Sequence, residues 1–492
     1  MTILVEIISW LAIVYFAALN LTYAALIVLS FVESGHHERR ARYGGYDILF
    51  RSPFTPPVSV LVPAFNEEPT IVDSVRALRF IEYGEYEVIV IDDGSTDGTF
   101  TALRDAFDLE DQSTPIRRRL ETETVTGVYV SRTWSGLRVL RKANGGKADA
   151  LNAGINVARF PVFCAVDADA ILEKDALLRV VKPFMEHPAE TVAAAGIVRV
   201  LNGCRVSAGA VESVHAPHRF LPLVQSVEYL RAFLAGRTAW SRLGALFIIS
   251  GAFGVFRKEA VVEAGGYRTD TVGEDMDLVL RLHQTMRWAR RPYRMVFVPD
   301  PVVWTQVPER LHDLGRQRNR WQRGLLECLV HGKGMLGNPR YGVLGCLALP
   351  YNWLFEVLGP FVELAGYLAV IAGAATGILD LRYLGLFFLL AVGCGMALSI
   401  SAILLEETRL HRYRSPGDVT RLLLAALAEN LGYRQLTAVW RVWATVDYLR
   451  GAGGWGHIER RRLATDETGR GAIGGEAAHR QSPAASRPGA TD

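Results

Sequence analysis

Cysteine is scarce and shows no pattern. There are five in 492 residues, Cys164, Cys204, Cys328, Cys346 and Cys394, with no C-x-x-C pair among them. An odd, scattered set argues against a disulfide frame or a zinc site and reads as reduced thiols packed as small hydrophobes. Charge of one sign is lacking too. Lys and Arg number 54 and Asp and Glu 51, a net +3, so no global field points to nucleic acid. Apolar residues are abundant, at 50 % against 21 % charged. That mix suits a soluble domain joined to membrane segments.

A local absence is more informative. Ile7 to Val32 carries no charge at all, about the length a helix needs to cross a bilayer. A signal peptide would want a basic start, a shorter apolar core and a small-residue cleavage site, whereas this chain begins Met-Thr-Ile-Leu-Val-Glu. Residues 1–33 therefore read as a retained anchor. The basic stretch His36-His37-Glu38-Arg39-Arg40-Ala41-Arg42 that follows assigns its far end to the cytoplasm.

Long apolar stretches resume near Gly342. Tyr383–Leu405 is uncharged, and Leu358–Leu379 is broken only by Pro360 and Glu363, which makes two crossings. Gly342–Val357, with Pro350 and Glu356, could lie along the interface instead. The basic link His411-Arg412-Tyr413-Arg414 returns the chain to the inside, so the middle of the sequence is cytosolic on both counts. Val419–Arg450 repeats Leu436, Trp440 and Trp443 at helical spacing but carries Arg434, Arg441 and Asp447, which suits an interfacial amphipathic helix. The membrane region thus covers 342–450, and the Gly/Ala/Ser/Pro-rich tail 463–492 reads as disordered.

Between the anchor and this region, residues 50–334 alternate in character. Val58–Val62, Glu87–Ile91, Gly127–Ser131 and Pro161–Val166 are short apolar runs, and Thr70–Phe80 and Ala148–Ala158 have helical periodicity. Strand–helix alternation predicts parallel strands with crossovers, an α/β sheet covered on both faces. Ligands of such sheets bind beyond the carboxyl ends of the strands, where the polar clusters fall.

Asp167-Ala168-Asp169 sets two carboxylates at a strand end, the chemistry of a hard divalent cation, although surface loops carry D-x-D by chance. Asp93 and Asp97 on a Gly/Ser/Thr turn are either cap and turn residues or acceptors for a uracil ring and ribose. Gly145-Gly146-Lys147 opens a helix as a phosphate-approaching loop would, without P-loop spacing. Glu274-Asp275 is either an acidic helix start or holds a general base. Gln317-Arg318-Asn319-Arg320-Trp321-Gln322-Arg323 either rests on lipid headgroups or offers guanidinium to a diphosphate and an indole face to a pyranose.

Taken in order, these residues resemble the processive family-2 glycosyltransferases of bacterial membranes, the relatives of poly-N-acetylglucosamine, chitooligosaccharide, hyaluronan and cellulose synthases. The resemblance rests on Val62-Pro63-Ala64-Phe65-Asn66-Glu67, Asp92-Asp93-Gly94-Ser95, Gly146-Lys147-Ala148 with Leu151-Asn152, Asp167-Ala168-Asp169, Gly273-Glu274-Asp275 and Gln317-x-x-Arg320-Trp321. It implies a GT-A-type nucleotide-sugar domain with flanking transmembrane and interfacial helices, in a bacterial inner membrane with the catalytic domain in the cytosol. Phe65, Glu67 and Asp93 would hold the uracil of a UDP-sugar, and Lys147 and Asp167 would contact the donor. Asp169, with Asp167, would bind Mg²⁺ or Mn²⁺. Asp275, beside Glu274, would be the base, Arg320 would stabilise the leaving diphosphate, and Gln317 and Trp321 would receive the acceptor.

The implied reaction is inverting, processive transfer of N-acetylglucosamine or glucose to a growing β-glycan, with export of the polymer. The expected partners are the donor, a glycan or lipid acceptor, membrane lipid and a small accessory membrane subunit. The alternatives are a non-processive glycolipid-forming enzyme and, more remotely, an inactive scaffold. Gly273 stands where the family often has Thr. No cyclic-dinucleotide β-barrel is expected from the short basic stretch and tail, and the crossings are closest in number to the poly-N-acetylglucosamine type.

Overall fold

The computed structural model describes residues 2–43, 54–112, 116–207, 209–377, 381–451 and 470–472. Its centre is a ten-stranded sheet in the order β3-β4-β5-β2-β1-β6-β11-β8-β12-β7. The strands are β1 (Val58–Ala64), β2 (Tyr86–Asp93), β3 (Leu109–Asp111), β4 (Val125–Ser131), β5 (Leu137–Lys142), β6 (Val162–Val166), β7 (Ile171–Leu172) and β8 (Thr191–Val200). After the small hairpin β9 (Arg205–Ser207) and β10 (Ala210–Ser213) come β11 (Phe253–Arg257) and β12 (Arg294–Thr305).

The core of the sheet is parallel, as the alternation predicts: β1 pairs in parallel with β2 and β6, and β2 with β5. These strands are buried on both faces, which is why they read as unbroken apolar runs. Parallel order does not extend to the whole sheet. β4 runs antiparallel to β5 because only a short turn joins them, too short for a crossover helix. β11 is antiparallel to both β6 and β8. β5 itself is a strand that apolar runs do not announce. Its Leu137, Val139 and Leu140 are buried, while Arg138 and Lys142 satisfy the buried carboxylates of Glu87 and Asp93.

Among the described residues, three helical runs, Trp10–Arg39, Leu344–Ala375 and Leu381–Arg409, are long and apolar enough to cross a membrane. The first belongs to a single helix, Thr2–Tyr43. Its basic end docks on the sheet domain: His37 Nε2 lies 2.8 Å from Asp300 on β12, and Glu33 pairs with Arg242 at 2.8 Å. Gly342–Val357, which could lie along an interface, is largely helical and runs into the second apolar helix with a bend at Leu358.

Val419–Arg450 forms two helices, Pro416–Ala428 and Arg434–Leu449. The second turns its polar residues inward. Arg434 meets Glu363 at 3.2 Å, Arg441 meets Glu356 at 3.0 Å, and Asp447 accepts from Asn319 Nδ2 at 2.7 Å. Trp443 and Val439 face outward. Of the tail 463–492, expected to be disordered, all but Arg470–Ala472 lies outside the described residues; that short strand, β13, pairs with β9.

Candidate active site

The carboxyl ends of β1, β2 and β6 open onto one cavity of about 1700 Å³. After β1, Phe65 is 45 % exposed on its rim, and Asn66 takes a left-handed conformation (φ 55°) that turns the chain. The Asn66 Oδ1 accepts from the Thr96 amide at 2.8 Å, which ties this turn to the one after β2. Asp97 serves that second turn: its carboxylate accepts from the Thr99 amide at 3.0 Å and the Glu68 amide at 3.2 Å. The cap-and-turn reading of Asp97 therefore holds. Glu67 is buried beside it, with its amide donating to Thr99 Oγ1 at 2.8 Å.

Asp93 is enclosed. Oδ1 receives the Lys142 ammonium and, at 3.0 Å, the Gly145 amide; Oδ2 receives the Gly146 amide at 2.7 Å and Asn144 Nδ2 at 3.3 Å. Burial pushes its carboxyl up, against the opposing pull of Lys142 and the two amides. The carboxylate thus fixes the glycine loop that delivers Lys147. Gly146 sits at φ +86°, where a side chain would be strained. Lys142 and Asn144 are partners that motif reading missed; an ionic residue closing a strand beside the buried Asp93 was the available signal.

Lys147 reaches across the cavity floor. Its ammonium pairs with Asp167, donates to the Gly251 carbonyl at 3.2 Å and lies 3.9 Å from Glu274 Oε1. Burial would lower its pKa, but Asp167, Glu274 and Asp275 together push it up, so it stays charged. A Cβ on Gly251 would stand 2.9 Å from Lys147 Nζ, so a larger residue there would make the ammonium shift. Asp275, at the start of the helix Glu274–Trp288, accepts from the Gly251 amide at 2.9 Å and the Met276 amide at 2.8 Å. Burial drives Glu274 up to about 7, with Lys147 opposing and Asp275 adding to the shift.

Asp169 lines the same wall, pushed up to about 6 by burial and then by the negative charge of Asp167. Among the described residues, no group of three or more His, Cys, Asp or Glu is placed to hold a metal ion. The donor set is hard oxygen, and the one Lys147 ammonium only partly offsets the negative charge that Asp167 and Asp169 bring together. These residues fit Mg²⁺ or Mn²⁺ completed by ligands from water and a substrate phosphate.

The helix Leu311–His331 supplies the opposite wall. Gln317, Arg320 and Trp321 all line the cavity, and the Trp321 ring is 42 % exposed. Arg318 stacks 4.4 Å from that ring while its guanidinium pairs with Glu228 at 2.7 Å, a buried support that the motif alone does not reveal. Gly273 also finds its reason here. A Cβ there would stand 3.0 Å from the Gly324 carbonyl and from Cys328 Sγ, so the two helices meet backbone to backbone. The residues assigned from sequence to donor, base and acceptor are thus brought together on one cavity.

Residues 56–324 match the family described as glycosyltransferase like family 2. A poly-β-1,6-N-acetyl-D-glucosamine synthase of Staphylococcus epidermidis is 28 % identical over 273 residues, 56 % of this chain and 55 % of that protein. The Staphylococcus aureus protein of the same name is 29 % identical over the same shares. The chain therefore spans about half the length of these curated relatives. A mannosyltransferase from Pyrobaculum calidifontis, solved with GDP-Man and Mn²⁺, superposes with a TM-score of 0.52 at 21 % identity, over 87 % of this chain and all of that one, and so shares the fold. With a family match that begins just before β1, ends beyond Trp321 and takes in more than half of the sequence, the chain belongs to glycosyltransferase family 2 and is an enzyme of that class.

Proposed function

We propose that the protein transfers N-acetylglucosamine or glucose from a UDP-sugar to a growing β-glycan, with inversion, and passes the product into the membrane region. The uracil lies against Phe65 and Glu67, with Asp93 ordering the glycine loop beside it. Asp275 takes the proton of an acceptor hydroxyl, whose oxygen attacks the anomeric carbon as the bond to the diphosphate breaks. The amides of Gly251 and Met276 aim the Asp275 carboxylate, and Glu274 keeps Lys147 in place. Lys147 and Arg320 meet the charge that grows on the leaving diphosphate. A divalent cation held by Asp169 and Asp167 would supply further neutralisation of that diphosphate. Trp321 and Gln317 receive the acceptor sugar.

One observation carries the polymer reading. The cavity does not end at Trp321 but continues between the apolar helices, past Asn20, Tyr23, Asn352, Glu356, Glu363 and Asn430. Its charges there are matched one to one: Arg441 with Glu356, Arg434 with Glu363, and Arg231 with Glu429 at 2.5 Å. Such a lining is wet and near neutral, which suits a hydroxyl-rich, uncharged chain better than an acyl tail. Membranes carrying the protein, incubated with a panel of UDP-sugars, should release UDP from one of them and accumulate a sized polymer. Release with a single added sugar on lipid would overturn the polymer reading. Cysteines placed near Arg40 should resist labelling from outside intact cells, as a cytosolic catalytic domain requires.

A further inference from the structure

The helix Phe220–Tyr229 continues through Leu230–Arg237 and brings Tyr229, Phe233 and Arg237 to the cavity at four-residue spacing. The Tyr229 and Phe233 rings stack with centroids 5.2 Å apart and planes at 30°, and the Arg237 guanidinium lies 3.7 Å from the Phe233 centroid. Both rings are buried, so they form a fixed bed under the guanidinium. Arg237 belongs to none of the sequence motifs. Its Nη1 is sealed from solvent and has no hydrogen-bond partner among the described residues. A charged donor left unmade in a buried setting is costly, and here it borders the catalytic cavity.

Two observations say what would meet it. The charged or ionisable groups acting on Arg237 are Asp275 and Tyr229, which places it on the base side of the site. Gln317, on the same cavity, has a buried Oε1 that likewise lacks a partner among the described residues. A hydroxyl both accepts and donates, so an orphaned N–H and an orphaned carbonyl suit a sugar. A phosphate would gain from Arg237 but find Gln317 Oε1 and Asp275 repulsive.

We infer that Arg237 is a substrate-binding residue for the acceptor, its guanidinium, which lines the cavity, donating to an oxygen of the sugar whose hydroxyl is presented to Asp275. The inference rests on the glycosyl-transfer reading above and deepens it: the acceptor is held from two helices, by Trp321 and Gln317 on one and Arg237 on the other. A lysine cannot reproduce the arrangement, because only a planar group both lies flat on Phe233 and projects a fixed N–H.

The test uses the full chain in detergent, the UDP-sugar that it accepts, and short β-linked N-acetylglucosamine or glucose oligosaccharides as acceptor. Arg237→Met keeps the packing on Phe233 without the donors. It should raise the acceptor KM by about tenfold, the loss of one charged hydrogen bond, while donor KM and acceptor-free hydrolysis of the UDP-sugar change by much less. Arg237→Lys, the milder change, should show the same split to a smaller degree even if Arg237→Met folds poorly. An unchanged acceptor KM in both variants overturns the inference. A parallel fall in donor hydrolysis overturns it too, since that would mark a diphosphate or structural role. Wild-type protein that releases UDP from no UDP-sugar sinks the underlying reading, whereas an active enzyme indifferent to Arg237 sinks only this step.

Discussion

Arg199 on β8 and Glu406 in the third apolar helix form an ion pair that is sealed from solvent on both sides. It is one of several charged contacts fastening the sheet domain to the apolar helices, alongside His37–Asp300 and Glu33–Arg242. Removing one partner strands a buried charge, which typically costs about 3–5 kcal/mol, whereas replacing both by apolar groups of similar size is often neutral. Arg199→Met alone should therefore lower the thermal midpoint of the detergent-solubilised protein sharply. The double variant Arg199→Met/Glu406→Leu should recover most of it. A double variant no better than the single would show that the pair is not the source of the loss.

Asp169→Asn should abolish most turnover and the response to added Mg²⁺ or Mn²⁺ while leaving UDP binding detectable. The motive is the crowding of carboxylate at Asp167 and Asp169 on the cavity wall. The measurement is UDP release with and without EDTA. Full activity of the variant in EDTA would remove the cation from the reaction.

Arg320 and Trp321 are adjacent but should fail differently. Trp321→Ala removes an apolar platform, so elongation suffers more than donor hydrolysis and the product is short. Arg320→Ala should depress both together, and Arg320→Lys should not restore them, because a point charge cannot replace a bidentate fork. Product sizing beside UDP release separates the cases. Normal-length product from Trp321→Ala, with full rate from Arg320→Lys, would return this stretch to a simple membrane contact.

Much of this site was legible in the sequence because it sits on strand ends, helix starts and one basic helix, where short polar clusters interrupt apolar runs. Asp93, Lys147, Asp167, Asp169, Asp275 and Trp321 all line the cavity, as their motifs suggested. What could not be read was partnership across the sheet. Asp93 looks in sequence like a ligand-facing acid, yet its carboxylate is occupied by Lys142, Asn144 and two glycine amides. β5 escaped notice because Arg138 and Lys142 break its apolar pattern, and their acids lie about fifty residues away in β2. The inward turn of Arg434 and Arg441 was hidden for the same reason: their glutamates belong to another helix.

His283 offers a pH handle remote from the chemistry. Its Nε2 donates to the Leu246 carbonyl at 2.9 Å, so Nδ1 accepts from the Tyr293 hydroxyl at 2.6 Å and the ring is neutral. Burial holds it down to about 4 from an ordinary 6.5. The unfolded chain thus binds a proton across that window that the folded chain refuses. Its contribution is complete above about pH 6.5 and fades as pH falls toward 4, by at most roughly 3 kcal/mol. Thermal midpoints of wild type should drop between pH 7 and pH 5 more than those of His283→Gln. Equal slopes would assign the acid sensitivity elsewhere.

The contact between Gly273 and Gly324 sets a fixed ruler within the enzyme. Because the two helices touch at backbone distance, no side chain separates the element that carries Asp275 from the one that carries Trp321. On the proposed reading, a sugar resting on the indole would meet the base at a separation set by this contact. Extension by one unit would then come from the glycan sliding past this gauge rather than from the gauge closing on the glycan. On the same reading, enlargement at either glycine would spread the two helices and change product length before it changed whether the bond forms.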